Sequence, residues 1–184
     1  SIISEGDTFC FLNFINNGLQ AYKDQTYGGW GGIYMNVPDS LKAKMIYLPS
    51  PEINKLGGFP DYTAAVQNDF AARLKWSVTS DYKSANHEPV ITGLESISAK
   101  PGQKVILKCK VSDPDGNRVS LKWYQYHVGT YKGSVVIANP NSSSIKIMLP
   151  SDAKSGETLH FVLEGTDNGT PALTHYHRVV ITVD

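Results

Sequence analysis

The chain has 184 residues, of which 41% are hydrophobic and 18% charged. This low charge excludes a disordered chain and a coiled coil. Lysine plus arginine and aspartate plus glutamate each number 17, so the chain lacks the basic excess on which nonspecific nucleic-acid binding depends. No stretch approaches the ~20 apolar residues of a membrane-spanning helix, and the first residues lack the basic region of a signal peptide.

The first 87 residues predict helices joined by long loops. Asp7 or Thr8 is suited to begin a helix, Phe11 and Ile15 follow at helical spacing, and Gly18 is suited to end it. This first helix carries apolar residues on more than one side, so we expect it to be buried. The first 87 residues are too few to bury this helix, so we expect them to be the tail of a larger domain.

A second helix is predicted to begin at Pro60-Asp61. Val66, Phe70 and Leu74 recur at i, i+4 and i+8, which predicts an apolar stripe facing the core. Between the two helices, four glycines surround Trp30, and this composition predicts a loop.

The part from residue 88 to 184 predicts an all-β domain. Short alternating segments lie at Val90–Ser98, Lys104–Ser112, Val119–His127, Ser134–Ala138, Ser144–Leu149, Glu157–Thr166 and His175–Val183. Seven strands in about 100 residues are typical of a β-sandwich, and Cys109 and Trp123 stand where immunoglobulin-like domains place a core Cys and Trp. The second cysteine, Cys10, lies far away, so two buried free thiols and a disulfide both stay open.

Several motifs occur in fixed order along most of the chain. They are Glu5-Gly6-Asp7-Thr8, Asn17-Gly18-Leu19, Gly28-Gly29-Trp30-Gly31-Gly32, Ala85-Asn86-His87-Glu88-Pro89, Ser112-Asp113-Pro114-Asp115-Gly116 and Thr166-Asp167-Asn168-Gly169-Thr170-Pro171. In this order they resemble the C-terminal part of a bacterial family of cellulose-binding proteins with a nucleoside-hydrolase-like N-terminal domain. The resemblance implies that residues 1–87 are the tail of that α/β domain and residues 88–184 an Ig-like module. It also implies carbohydrate as the ligand class and a secreted, periplasmic or cell-surface location.

Aromatic residues give the candidate carbohydrate site. Residues alternating with Trp123 on its strand point away from the core, and in an Ig-like sandwich they share an outer face with the last strand. The candidates on this face are Tyr124, Tyr126, Tyr176 and Arg178. Sugar rings stack their C–H faces on aromatic rings, so this face predicts a platform for a flat polysaccharide. The alternative is that the face packs against residues 1–87. Trp30 in its glycine-rich loop is a separate candidate.

Acidic residues give two candidate metal positions. Nucleoside hydrolases bind Ca²⁺ through an aspartate cluster, and Asp7 matches one member of it, while its other reading is a helix N-cap. The rest of that cluster has no counterpart in the chain, so Asp7 would need another domain. Loops at one end of a sandwich would bring Asp113, Asp115 and Asp167 together for Ca²⁺, although turn chemistry alone explains these residues. His175 and His177 share one strand face but lack a third ligand.

The sequence predicts a binding protein rather than an enzyme. It contains no nucleophile elbow, P-loop or dinucleotide fingerprint, and no pair of facing carboxylates is evident. We therefore expect a non-catalytic carbohydrate-binding or accessory module of a secreted bacterial protein that requires no cofactor. The alternatives are a fragment of a nucleoside-hydrolase-like enzyme whose sandwich is structural, and a protein-docking module. The expected partners are a polysaccharide and an N-terminal domain or another protein, without nucleic acid or a membrane span.

Overall fold

The computed structural model describes residues 11–36, 45–48 and 60–184. The chain divides into two compact units, Ser1–Ala64 and Ala65–Asp184. The second unit therefore includes residues 65–87 as well as the β-rich part, and the predicted domain boundary after residue 87 stays a prediction. The described residues are mixed α+β, mostly sheet with one α-helix.

Within the described ranges, the regular elements are one α-helix and ten strands. They are β1 (Ile33–Asn36), β2 (Met45–Leu48), α1 (Thr63–Val78), β3 (Val90–Thr92), β4 (Ile97–Ala99), β5 (Lys104–Lys108), β6 (Lys110–Ser112), β7 (Ser120–Tyr126), β8 (Ser144–Met148), β9 (Thr158–Thr166) and β10 (Thr174–Val183). Among the described residues, no helix has both the length and the apolar character needed to cross a membrane.

The predicted continuation of the first helix to Gly18 is wrong. Leu12–Phe14 forms a single 3-10 turn, after which Ile15 is extended. Asn13 accounts for the end of the helix at this point. Its side-chain amide donates a hydrogen bond to the Gly32 carbonyl at 3.2 Å, and such a contact competes with regular helical structure. Phe11 is exposed rather than buried. Asp7 and the start of this segment lie outside the described residues.

The second predicted helix is confirmed as α1, Thr63–Val78. The Asp61 carboxylate accepts hydrogen bonds from the Thr63 hydroxyl at 2.7 Å and the Thr63 N–H at 2.9 Å. These two bonds stabilise the ionised form and lower the pKa of Asp61 below its usual value. Polar capping thus fixes where the helix begins.

The predicted inner face of α1 is wrong. Phe70 is 64% and Leu74 54% exposed, so the apolar stripe lies on the outside. The attached face carries Asn68, Ala72 and Trp76, which also recur at i, i+4 and i+8. Asn68 Nδ2 donates to the Ala172 carbonyl at 2.9 Å, Trp76 Nε1 donates to the Asn86 carbonyl at 2.9 Å, and Ala72 is buried. Two specific hydrogen bonds and a close alanine contact hold this face, and hydrophobic periodicity does not report such contacts.

The β-rich part is built around one core. Its largest sheet has the order β4-β10-β9-β7, in which β4 pairs parallel with β10 and the other pairs are antiparallel. The strand pairs β3-β6 and β5-β8 form two further two-stranded sheets that contribute to this core. The core includes Trp123 and Cys109, both buried, which confirms the predicted strand register. Cys109 is a buried free thiol, and burial raises its pKa.

Three predicted strands differ from the structure. The segment Val90–Ser98 is divided into β3 and β4, which belong to different sheets. The segment Lys104–Ser112 breaks at Cys109, whose N–H donates to the Ser143 carbonyl at 2.9 Å, so β5 and β6 pair with different strands. The segment Ser134–Ala138 forms no strand, and only the isolated bridge between Ala138 and Lys146 is present there.

Candidate functional site

The predicted aromatic platform is covered. Tyr126 is 2%, Tyr176 1% and Arg178 1% exposed, while Tyr124 is half-buried. The Arg178 guanidinium lies 4.8 Å from the Tyr126 ring centroid, and its Nη1 lies 3.1 Å from His160 Nδ1. The expectation of an open face is therefore wrong, because strand alternation tells which side a residue takes but not whether that side is covered. The proposed sugar contact of these residues stays a prediction that a covered face does not favour.

Trp30 is also buried. Its loop closes through reciprocal hydrogen bonds between Gly29 and Gly32, each 3.0 Å, and Asn13 Oδ1 accepts from the Gly31 N–H at 2.9 Å. A Cβ at Gly29 would lie 2.9 Å from the Ala21 Cβ, so the glycine permits this close approach. The loop prediction is confirmed, and the indole offers no open surface.

Two of the candidate calcium ligands, Asp113 and Asp167, accept hydrogen bonds from backbone N–H groups. Asp113 Oδ1 accepts from the N–H groups of Asp115 at 2.9 Å and Asn117 at 3.0 Å. Asp167 is buried and accepts from the N–H groups of Gly169 at 2.8 Å and Leu173 at 3.1 Å. Within residues 11–36, 45–48 and 60–184, no three acidic, His or Cys side chains group so as to hold a metal. Turn chemistry accounts for these carboxylates, and a calcium role stays a prediction.

The two histidines of β10 have separate partners. His175 Nδ1 lies 3.4 Å from Glu88 Oε2, whereas His177 Nε2 lies 3.1 Å from the Leu94 carbonyl oxygen. The geometry does not bring the two rings to a common ligand.

An open polar cleft lies in the second unit. It has a volume of about 370 Å³, within the range of small-molecule sites. The end of α1, a 3-10 turn at Tyr82–Ser84, the β6–β7 loop and the β9–β10 loop form its walls. The polar side chains that line it include Lys75, Lys83, Asp115, Asn117, Asn168 and Thr170. Ammonium, amide and hydroxyl groups thus converge on one space.

Asn86 joins the walls of the cleft. Its Nδ2 lies 3.0 Å from each carboxylate oxygen of Asp167 and 2.9 Å from the Pro171 carbonyl, while its Oδ1 accepts from Asn117 Nδ2 at 2.7 Å. A Cβ at Gly169 would overlap this amide. The motif around Asn86 therefore locks the two sandwich loops together and fixes the shape of the cleft.

Three aromatic side chains belong to residues next in sequence to Lys75, Lys83 and Asn86 of the cleft lining, and we call them the rim of the cleft. Tyr82 and His87 stack with centroids 3.6 Å apart and planes 6° from parallel, and Trp76 stacks on His87 at 5.5 Å and 6°. His87 is oriented by Asp115, which accepts its backbone N–H at 2.7 Å and lies 3.1 Å from its Nδ1. Tyr82 is 58% exposed even though one face of its ring stacks on His87.

A charged pair supports the stack. The Arg73 guanidinium lies 5.5 Å from the Trp76 ring centroid and binds Asp69, with an Nε–Oδ2 distance of 2.7 Å. The hydrogen bond that Arg73 donates to the Asp69 carboxylate raises the pKa of Arg73. Asp69 thus fixes the position of the Arg73 guanidinium, which in turn supports the orientation of the Trp76 indole.

Sequence reasoning missed this cleft. The motif around Asn86 indicates only the family resemblance, Asp167 is in addition a candidate calcium ligand, and no pattern in the sequence selects Tyr82. A signal exists: Trp76, Tyr82 and His87 are three ring-bearing residues within twelve positions of an otherwise polar segment. Their convergence with the two loops depends on contacts across long sequence separations.

Comparisons with known proteins identify the same family that the sequence motifs resemble. Residues 104–183 match the model of the C-terminal domain of cellulose-binding protein Sde0182, and residues 1–34 match the nucleoside hydrolase-like domain of cellulose-binding Sde182. Both ends of the chain match this one cellulose-binding family. The resemblance to the Sde0182 family is thereby confirmed.

One solved structure that is similar to this chain is a nucleoside hydrolase-related hypothetical protein from Saccharophagus degradans that is associated with carbohydrate metabolism. It is 33% identical over 100% of this chain with a TM-score of 0.82, and the chain spans 49% of its length. The titin M3 domain (17% identity, 52% of this chain and 96% of that domain, TM-score 0.33) and the mouse SynCAM 2 Ig1 domain (17%, 52% and 93%, TM-score 0.29) are too distant to add to this. A comparison with curated proteins finds no match.

Proposed function

We propose that this chain is a non-catalytic carbohydrate-binding or accessory module of a secreted bacterial protein, with a cellulose-like polysaccharide as its ligand. The observation that carries the proposal is the match of both ends to models of one cellulose-binding family. A location outside the cytoplasm, whether secreted, periplasmic or at the cell surface, follows from this ligand, because an insoluble polysaccharide is met there.

The finer fold we propose for the β-rich part is an Ig-like sandwich. Trp123 and Cys109 share its core, and the Trp123 indole donates to the Ser142 carbonyl at 3.0 Å. A rigid sandwich with loops clustered at one end is a common way to present a binding site.

The chemistry of the cleft supports binding rather than bond cleavage. A glycosidase needs one carboxyl group as general acid and a second as nucleophile or base. Asp167 is buried and accepts hydrogen bonds from the Asn86 side-chain amide and from two backbone N–H groups, and Asp115 is paired with His87. Both carboxylates support the loops and His87, and we propose that neither transfers a proton to a substrate.

Depletion from solution by insoluble cellulose tests the proposal. The purified chain is mixed with microcrystalline cellulose, and free protein is measured against cellulose concentration. Saturable retention that soluble cellohexaose competes away is expected. No retention on cellulose, together with no binding of cellohexaose, would reject the proposed function.

A second function is favoured by the match of residues 1–34. In this alternative the longer protein is a nucleoside-hydrolase-like glycosidic-bond hydrolase, and Ala65–Asp184 is structural or docks another protein. The test is nucleoside turnover by the full-length protein with and without Ca²⁺. Turnover in that protein without cellulose retention by this chain would favour the alternative.

A further inference from the structure

We propose that the polysaccharide site of this chain is the cleft beside Asn86, and that one pyranose ring stacks on Tyr82. This inference rests on the proposed function and names the site for it. It replaces the sheet face around Tyr126 and Tyr176, which is buried.

The Tyr82 ring has the geometry of a sugar platform. One face is held by His87 at a centroid distance of 3.6 Å, and the side chain remains 58% exposed. The C–H face of a pyranose can therefore reach the exposed part of the ring. Because the stack on His87 fixes the ring, little side-chain freedom is lost when a sugar binds.

The neighbouring cleft supplies groups for the sugar hydroxyls. Lys83 directly follows Tyr82, and Asn117 and Thr170 reach the same cleft from the two sandwich loops. Ammonium, amide and hydroxyl groups hydrogen-bond hydroxyl-rich ligands, whereas a lipid or an apolar peptide would leave them unpaired. A stacked ring next to a polar cleft thus favours a hydroxyl-rich glycan segment.

The site is built before the ligand arrives. Asn86, 7% exposed, bonds to both sandwich loops, and Asp115 orients His87 through two contacts. Pre-formed walls are typical of ligand sites and reduce the entropy cost of binding.

The test is calorimetric titration of cellohexaose into the full chain and three variants. Tyr82→Ala removes the ring, Tyr82→Phe keeps it, and Tyr22→Ala removes a 42% exposed tyrosine from the first unit as a matched control. We expect Tyr82→Ala to raise Kd roughly five- to tenfold, the scale of one aromatic contact. We expect Tyr82→Phe and Tyr22→Ala to stay within about twofold.

The outcomes separate the site from the function. Wild-type binding that Tyr82→Ala leaves unchanged would overturn the site and leave the proposed function standing. Absence of wild-type binding would overturn both. Since Tyr82 is exposed, a thermal unfolding curve like that of the wild type will show that the variant is folded.

Discussion

The side-chain amide of Asn86 lies 3.0 Å from both carboxylate oxygens of Asp167. Both residues are buried, and 81 positions of sequence separate them. This contact ties the segment that follows α1 to the β9–β10 loop, and the cleft lies beside it.

Asn86→Ala is expected to lower the free energy of unfolding by about 2–3 kcal/mol, because a buried carboxylate and the Pro171 carbonyl lose their donor. Urea unfolding followed by tryptophan fluorescence measures the loss. Asn141→Ala, an exposed asparagine, is the matched control and should stay within about 0.5 kcal/mol of the wild type. Equal stability of the two variants would show that the Asn86 contact does not hold the loops.

Gly169→Ala is expected to destabilise the chain by about 1–3 kcal/mol, because the added Cβ would overlap the Asn86 amide. The double variant with Asn86→Ala removes the obstacle. The cost of Gly169→Ala should therefore be smaller in the Asn86→Ala background, a coupling that a double-mutant cycle measures. Strict additivity of the two costs would contradict the close approach.

Trp123→Ala is expected to cost about 3–5 kcal/mol as a large-to-small change in the core. Trp123 is buried with an indole N–H bonded to Ser142, whereas Trp76 is only half-buried. Trp76→Ala is the comparison and should cost less. A smaller loss at Trp123 than at Trp76 would contradict the assigned core.

Glu164→Gln tests a titrating group on β9. Burial raises the pKa of Glu164 above its ordinary value of 4.5, and Lys122 partly opposes the shift. The folded state then holds the proton more tightly than the unfolded state, so the contribution of Glu164 to stability is full below about pH 4.5 and is lost as the pH rises through the raised pKa. The unfolding free energy of Glu164→Gln minus that of the wild type should increase across this interval. A difference that is constant with pH, or that decreases, would contradict the shift.

The sequence predicted the β-rich part well because period-2 alternation reports directly on burial. Val119, Leu121 and Trp123 placed the register of β7 correctly, and Cys109 lies in the same core. Local alternation does not determine which strands pair with each other. For this reason the break at Cys109 and the missing strand at Ser134–Ala138 were not predicted.

The N-terminal half was harder to predict because polar contacts override hydrophobic spacing there. Asn13 ends the first helical segment by binding the glycine loop, and Asn68 and Trp76 attach α1 through the face opposite Phe70. Single hydrogen bonds between distant segments determine both outcomes. They leave no pattern of hydrophobic residues in the sequence.

The burial of the predicted aromatic face could not be predicted from the sequence for a related reason. Alternation placed Tyr126 and Tyr176 on the second face of the sheet, but exposure depends on what covers that face. Most cleft residues lie in loops, where no periodicity applies, and the long-range hydrogen bonds of Asn86 join the segments that carry them.

An NMR titration with cellohexaose tests the central claim most directly. The Trp76 indole N–H, the Lys83 and Asn168 backbone amides and the Asn117 side-chain amide report on the rim and walls of the cleft, and amides of β7 and β10 report on the covered sheet face. We predict saturable shifts at the cleft reporters with one common Kd, and unchanged signals along β7 and β10. Shifts confined to the strands around Tyr126 and Tyr176, or no shifts at saturating cellohexaose, would contradict the account.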